Sequence, residues 1–510
     1  MKDNALKIFS IFKNDNIGLN SQPKNINQSH IFHTNQNNTT GLNSQKNNII
    51  NQSNNSPNTI LNSTTNNESK INTSSSNEKS FSDLQNEINN PPQDEVLNLN
   101  CDYKYAGKGD CGGLSIWKDG VTINGHGHTI DGSNSVSIFD IGRGGITLEN
   151  MVIKNSNGVA VTVDYRQQLC LRNVTFINNQ AKSGGAISNG IAAQCTVINS
   201  TFINNKGTLT GGAIYDGYQG DLRIYNSTFT NNKANGDGGV IYNNGGNPRI
   251  YNSNFSHNTA NNGGVIFTPK STVPGEQFKI YNSNFTNNKA NNNGGVINSE
   301  KEGINVKESI FANNTANNNG GVINNNKQFS VSNSIFVNNT AKSDGGVIYN
   351  NGGTPCIYNS NFSHNTANNG GVIFNDKYAM AVAQFNIYNS TFTNNTANNN
   401  GGAINNEKEE LNIKESIFAN NTANNNGGVI NTNKQFSVSN SIFVNSTAKS
   451  SGGVICNNGS TSCIYNSNFS HNTANTGGVI FNEKSAMAGA QFNIYIILLS
   501  VITQQIVMVV

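Results

Sequence analysis

The chain has 510 residues, a formal net charge of +3, and only 12 % charged residues. About a fifth of it is Asn, Trp117 is its single tryptophan, and no Lys/Arg cluster stands out. Nucleic-acid binding therefore has no electrostatic support, and a wide three-dimensional core is excluded; a narrow core built from a short repeated apolar pattern is not.

At the N-terminus, Lys7 and Lys13 leave only five uncharged residues between them, too few for the core of a signal peptide. No stretch of about 20 apolar residues offers a transmembrane helix. Residues 1–79, rich in Asn and Ser, are expected to be a disordered leader, because they bury too little apolar area to offset chain entropy. In the following segment, 80–95, Phe81, Leu84 and Ile88 fall on one helical face. Ser82 with Gln85 resembles a capping box, and Pro91-Pro92 stops the helix. A short amphipathic helix just ahead of a repeat array suits a cap over its first open edge.

Residues 96–165 hold atypical first turns, Val121–Gly125, His128–Gly132 and Gly145–Asn150, each a short alternating strand closed by Asn or Gly. From 166 the period is explicit. Phe recurs at 176, 202, 229, 255, 285, 311, 336, 362, 392, 418, 443 and 469. A Gly-Gly pair follows each one after eight or nine positions, as in Gly263-Gly264, Gly370-Gly371 and Gly477-Gly478. The repeat residues Phe229, Phe255, Phe285, Phe311, Phe336, Phe362, Phe392, Phe418, Phe443 and Phe469 are the expected core positions.

Each unit reads as three short strands. Phe278 and Ile280 point inward, the parity slips by one residue at Asn282, and Ser283 and Phe285 then point inward. Such a slip in a period-two pattern marks a corner. The Asn-rich run makes a second corner, and Gly-Gly leads into the third strand, Val-Ile. One unit has no partner face, so successive units must coil into register about 4.8 Å apart, stacking Phe on Phe, Ile on Ile and corner Asn on corner Asn. The predicted fold is all-β: a parallel β-helix, right-handed by the rule for parallel crossovers. It spans 96–495 in about 15 coils, a rod on the order of 70 Å long.

A longer period lies over the short one: the block 250–356 is closely repeated at 357–463. Extra loops, Phe267–Gln277, Phe374–Gln384 and Phe481–Gln491, are expected to project once every four coils, and loops on a rigid scaffold are where binding is most often placed. After Tyr495 the repeat should continue Asn-Ser-x-Phe, but the chain turns hydrophobic over 496–510. Codons for Thr-Thr-Asn-Ser-Asn-Gly-Gly, read one base later, spell Gln-Gln-Ile-Val-Met-Val, so a frameshift near 496 is expected.

The seven Cys (101, 111, 170, 195, 356, 456 and 463) share no disulfide or zinc spacing; Cys101 and Cys111 are the one tempting pair. Gly125-His126-Gly127 resembles a polygalacturonase element, yet Asp131, Asp140 and Asp164 lie in different coils rather than forming an acid/base pair. Asp216, Asp221 and Asp237 fall in neighbouring coils and imitate a lyase calcium site, although only Arg223 accompanies them as a base. His257, His364 and His471 are four coils apart, too far to share a metal, and read as corner residues. The Thr-Ala-Asn rows also sit at a corner, not on a flat ice-binding strand.

The Phe-x-x-Asn (Phe176–Asn179, Phe229–Asn232) and Gly-Gly-Ala/Val-Ile signatures resemble the polymorphic outer-membrane protein repeat. The whole of roughly 80–495 resembles the Asn/Thr-rich adhesin-like surface proteins of methanogenic archaea, in which a helix like Phe81–Gln85 precedes a coil like Gly120–Gly132. The resemblance implies a cell-surface or extracellular attachment or structural protein contacting glycans or neighbouring cells. It implies no enzymatic activity and no cofactor. A polysaccharide lyase or glycoside hydrolase on the same scaffold is the rival expectation, and a truncated gene remnant is another.

Overall fold

The computed structural model describes residues 78–498 except 247, 271–276, 301, 354, 377–383, 409, 459–460 and 483–491, and gives only the backbone at 492–498. The expected leader up to residue 77, most of the three expected loops and the tail beyond 498 therefore lie outside the described residues. The rest is a parallel β-helix whose third sheet alone stacks 15 strands.

The coil from 278 to 299 shows how the sequence folds. Phe278–Tyr281 and Asn284–Thr286 form its first side, Lys289–Ala290 its second, and Ile297–Ser299 its third. Each strand pairs in parallel with its counterpart one coil on: Phe278 with Ile304, Phe285 with Phe311, Ala290 with Ala316 and Ile297 with Ile323. Two details differ from the expected three-strand coil. The parity slip at Asn282 is a left-handed residue (φ +47°), but the strands on either side of it belong to one sheet. It is a bend within a sheet, not a boundary between sheets. The Asn-rich run is also more than a corner: its Thr-Ala and Lys-Ala pairs, preceded by Gln180–Ser183 and Lys206–Thr210, form an 11-stranded sheet of their own with Ala of each pair turned inward.

Four side-chain columns run along the rod. All twelve repeat Phe residues from 176 to 469 are buried, and each successive pair of rings stacks with centroids 4.5–4.9 Å apart. Burial of each ring contributes roughly 1.5–3 kcal/mol. Three residues after each Phe except Phe443, a buried Asn forms the second column. Asn288 Nδ2 donates to the Phe255 carbonyl of the previous coil (2.9 Å) and to Asn314 Oδ1 of the next (3.1 Å), which also accepts from the Asn288 N–H at 3.0 Å. The inward Ser residues make a third: the Ser283 N–H donates to Ser309 Oγ at 3.1 Å, and Ser283 Oγ donates to the Tyr281 carbonyl at 2.8 Å. Outside, the left-handed Asn residues form a fourth, exposed column, as between Asn282 and Asn252 at 2.9 Å.

The Gly-Gly pair has two separate reasons. Gly263 sits at φ +59°, a region that costs other residues strain, and a Cβ on Gly264 would collide with the Gly295 carbonyl of the next coil. Gly370-Gly371 repeats this arrangement against Gly402, and Gly477, beside Gly478, has φ +63°.

The helix spans Phe81–Asn89 and buries Phe81, Leu84 and Ile88. Its capping box is Ser80 with Asp83, not Ser82 with Gln85. Ser82 is drawn away to Asp110, whose Oδ1 accepts from its N–H and Oγ, both at 2.6 Å. Gln85 meets Ser115 in the first strand of the third sheet: its Oε1 accepts from the Ser115 N–H at 2.7 Å, and its Nε2 donates to the Ser115 carbonyl at 3.0 Å. A side-chain amide thus takes the place of the missing neighbouring strand at that edge. At the other end, the backbone ladder continues past 495, pairing Ser467 with Ile497 and Asn468 with Leu498. None of the seven Cys is in a disulfide, Cys101 and Cys111 included.

The buried Asn column is interrupted at Ser446, which accepts nothing from Asn421 and donates only its N–H to Asn472 Oδ1 (2.9 Å) and its Oγ to the Val444 carbonyl (3.3 Å). Ser446→Asn is expected to restore the rung and raise stability by about 1–2 kcal/mol, read as a higher urea midpoint and slower amide exchange around 420–472. Asn314→Ser, which cuts an intact rung, should shift both in the opposite direction.

Candidate functional site

From Asn189 onward the third side ends each coil with an inward polar residue, and these residues form an interior column. Among its bonds are Asn350 Nδ2 to Asn375 Oδ1 (2.7 Å) and Asn375 Nδ2 to Asn406 Oδ1 (2.8 Å). Asp216 occupies one rung and is fully buried. Its Oδ1 accepts from Asn189 Nδ2 at 2.7 Å, while its Oδ2 has no hydrogen-bond partner. Glu302, almost as buried, reaches back to accept from Asn243 Nδ2 at 2.8 Å.

Burial pushes the Asp216 carboxyl up to about 7, and burial together with the Asp216 charge pushes Glu302 up to about 8. A protonated aspartic acid has the shape of asparagine with an O–H donor in place of the amide. Neutral Asp216 therefore suits a column built for Asn.

The other sequence-named acids are dispersed. Asp221 is ion-paired with Arg223 and, at 3.6 Å, with Arg249. Asp237 Oδ1 accepts from the N–H and Nδ2 of Asn262 at 3.1 and 2.9 Å. With Asp216 inside the rod, the three do not share a site, and among the described residues no group of three His, Cys, Asp or Glu gathers to hold a metal. His126 lies in a left-handed turn bonded to Asn98 Oδ1 at 2.8 Å. His257, His364 and His471 occupy left-handed corner positions at φ +57°, +55° and +54°. Asp131 is tied to the Ser133 N–H, Asn155 Nδ2 and Lys154.

Asp140 and Asp164 are closer than their sequence separation implies. The strand Phe139–Ile141 pairs directly with Val161–Val163, so Asp164 follows one coil after Asp140 on the same side. Burial raises the Asp140 carboxyl, and the charge of Asp164 adds to the shift.

That side carries a feature the sequence reading missed. Trp117 follows the strand Leu114–Ile116, and its indole lies on Gly142 of the next coil, where a Cβ would stand 2.6 Å from the six-membered ring. The indole is nonetheless 61 % exposed. Further along the same corner stand Tyr165, 55 % exposed with the Arg166 guanidinium 4.8 Å from its ring centre, and Ile191, 52 % exposed. Beside this corner, on the first side, is a shallow depression of about 220 Å³ lined by Gly145, Thr147, Gln168, Cys170, Gln194 and Thr196. The available signal was large aromatic or apolar residues at corner positions where most later repeats carry Gly or Lys.

Residues 112–274 match the family described as right handed beta helix region. Residues 333–351 and 389–407 match the Chlamydia polymorphic membrane protein repeat. The rod is a right-handed parallel β-helix. No curated protein matches the chain. A solved structure, a PL6 alginate lyase in complex with a trisaccharide, aligns over 77 % of this chain and 85 % of its own, with 11 % identity and a TM-score of 0.30; that score carries no argument about function. Among the described residues, no helix is long and apolar enough to cross a membrane.

The raised carboxyls give a signed pH dependence. Between about pH 4 and 8 the folded chain holds protons at Asp216 and Glu302 that the unfolded chain has released, so stability falls as pH rises through that window. Asp216→Asn is expected to match wild type at pH 4 and to exceed it by a few kcal/mol at pH 8, measured by urea denaturation at both pH values.

Proposed function

We propose that this chain is a non-catalytic surface repeat protein, a rigid rod that attaches its cell to glycans or to neighbouring cells. The observation that carries the reading is how the repeated residues are used. Phe, Asn, Ser and Gly-Gly of successive coils bond to or stack on their own copies, as Asn288 does between Phe255 and Asn314. A side chain engaged in a lattice of that kind is not free to act on a substrate. An active site also needs different residues converging on one place, whereas 107-residue duplication distributes the same residues along an axis. The polymorphic membrane protein repeats at 333–351 and 389–407 support a place at the cell surface. The resemblance of 80–495 to Asn/Thr-rich adhesin-like proteins of methanogenic archaea supports the attachment role.

One observation favours a second reading, a glycan-cleaving enzyme. Asp140 and Asp164 are neighbouring carboxyls, and one of them is raised, as a general acid paired with an ionised base would be. They stand beside exposed aromatic rings.

The immobilised full chain, exposed to cell-wall polysaccharides and to whole cells, is expected to retain them and to release no new reducing or unsaturated ends over days. Cleavage that Asp140→Asn abolishes would replace attachment with catalysis.

A further inference from the structure

Three places in the described rod hold unusual chemistry: the buried Asp216–Glu302 pair, the Tyr225–Tyr251–Tyr281 stack on the outer face, and the Trp117 corner. The buried pair is explained by protonation within an Asn column. The Tyr stack lies beside Lys279 and beside Arg223 and Arg249, which share the Asp221 carboxylate, and its rings already cover one another. The Trp117 corner has no such internal explanation.

Exposing an indole to water is costly, and here the frame is arranged to keep it in place. Gly142 leaves a seat for the ring, and a side chain there would push it off. Asp119 Oδ1 accepts from the Gly144 N–H at 3.0 Å, and Lys118 pairs with Glu95 at 3.3 Å, so the chain on both sides of the seat is tied down. The ring rests against Gly142 while most of the residue stays open to solvent. Tyr165, two coils on, stands roughly 10 Å away at strand spacing. The adjoining depression is lined with amide and hydroxyl groups from Gln168, Gln194, Thr147 and Thr196.

We propose that this corner and depression bind a neutral, extended polysaccharide, with one pyranose on the exposed ring of Trp117 and another on Tyr165. A pyranose has an apolar C–H face that covers an aromatic ring and a rim of hydroxyls that amides and hydroxyls satisfy. Two platforms two coils apart suit a polymer of such rings. The chemistry disfavours other partners. Asp119, Asp140 and Asp164 share the corner with Arg143 and Arg166, so a polyanion such as nucleic acid or a uronate chain gains no net attraction. A protein partner would need a continuous apolar centre, and here Asp140 and Arg143 of the intervening coil separate Trp117 from Tyr165 and Ile191. The site lies on the non-repeating coils before 200, apart from the loops in which the repeats place their variation. The proposal rests on the attachment reading for its purpose but not for its test.

Because Trp117 is the only tryptophan, its emission reports this site alone. The full chain is titrated with cellohexaose, mannohexaose and, as the charged probe, a hexamer of galacturonic acid. At least one neutral hexaose is expected to shift Trp117 emission and shield it from acrylamide in a saturable way. Tyr165→Ala, which leaves the reporter in place, should weaken that binding about tenfold, and Gly142→Ala should change the emission of the free protein and weaken binding too. Circular dichroism of both variants checks that the rod is intact. The proposal is overturned if no neutral hexaose protects Trp117 at millimolar concentration, if only the galacturonic acid hexamer does, or if Tyr165→Ala binds as wild type does. Cell retention without a Trp117 response would remove this site and leave attachment standing. A Trp117 response without cell retention would do the reverse.

Discussion

A buried Asn held from both sides is the contact on which this rod depends. The amide of Asn288 joins three coils: it donates down to the carbonyl of Phe255 and up to Asn314, while the Asn314 oxygen also accepts the Asn288 backbone N–H. Asn288 and Asn314 are fully buried, and each polar group left unpaired there would cost about 1–3 kcal/mol. Asn fits because it carries a donor and an acceptor on one short planar group, so an unbroken column satisfies itself. The stacked Phe rings beside it add apolar burial but would not by themselves set the register; the amides do. The same logic explains the interior of the third side, where burial raises the Asp216 carboxyl and favours its neutral, Asn-like form.

The frame and the chemistry are separate parts of this molecule. In the duplicated coils nearly every distinctive residue is matched to its own copy, which yields length and rigidity but little variety. Variety appears where the repeat is not yet regular, on the coils carrying Trp117, Asp140, Tyr165 and Ile191. A rod whose late coils extend it and whose early coils carry the unusual surface is consistent with attachment.

Much of the coil was legible because a solenoid converts spatial neighbours into sequence period. Phe at intervals of 25 to 30 residues, followed by Gly-Gly, marked one ring per coil, and the parity slip at Asn282 marked a real bend with φ +47°. What was missed lacked a period to read. A two-residue Thr-Ala strand cannot show alternation, and it exists only because Ala290 meets Ala316 in the next coil. The capping box was misplaced because Ser80/Asp83 and Ser82/Gln85 have equivalent spacing. Asp110 and Ser115, some 30 residues away, draw Ser82 and Gln85 off.

The amino-acid sequence alone determined the architecture, because each coil must reproduce the previous one and repetition in space is therefore written as repetition in the chain. The tertiary structure alone decided which polar residues are interior rungs and which are surface. It also decided that Asp140 neighbours Asp164 and that Trp117 rests on Gly142. Those pairs come from the irregular early coils, where the lengths of the connecting segments vary and no period says which residue of one coil will lie over which residue of the next.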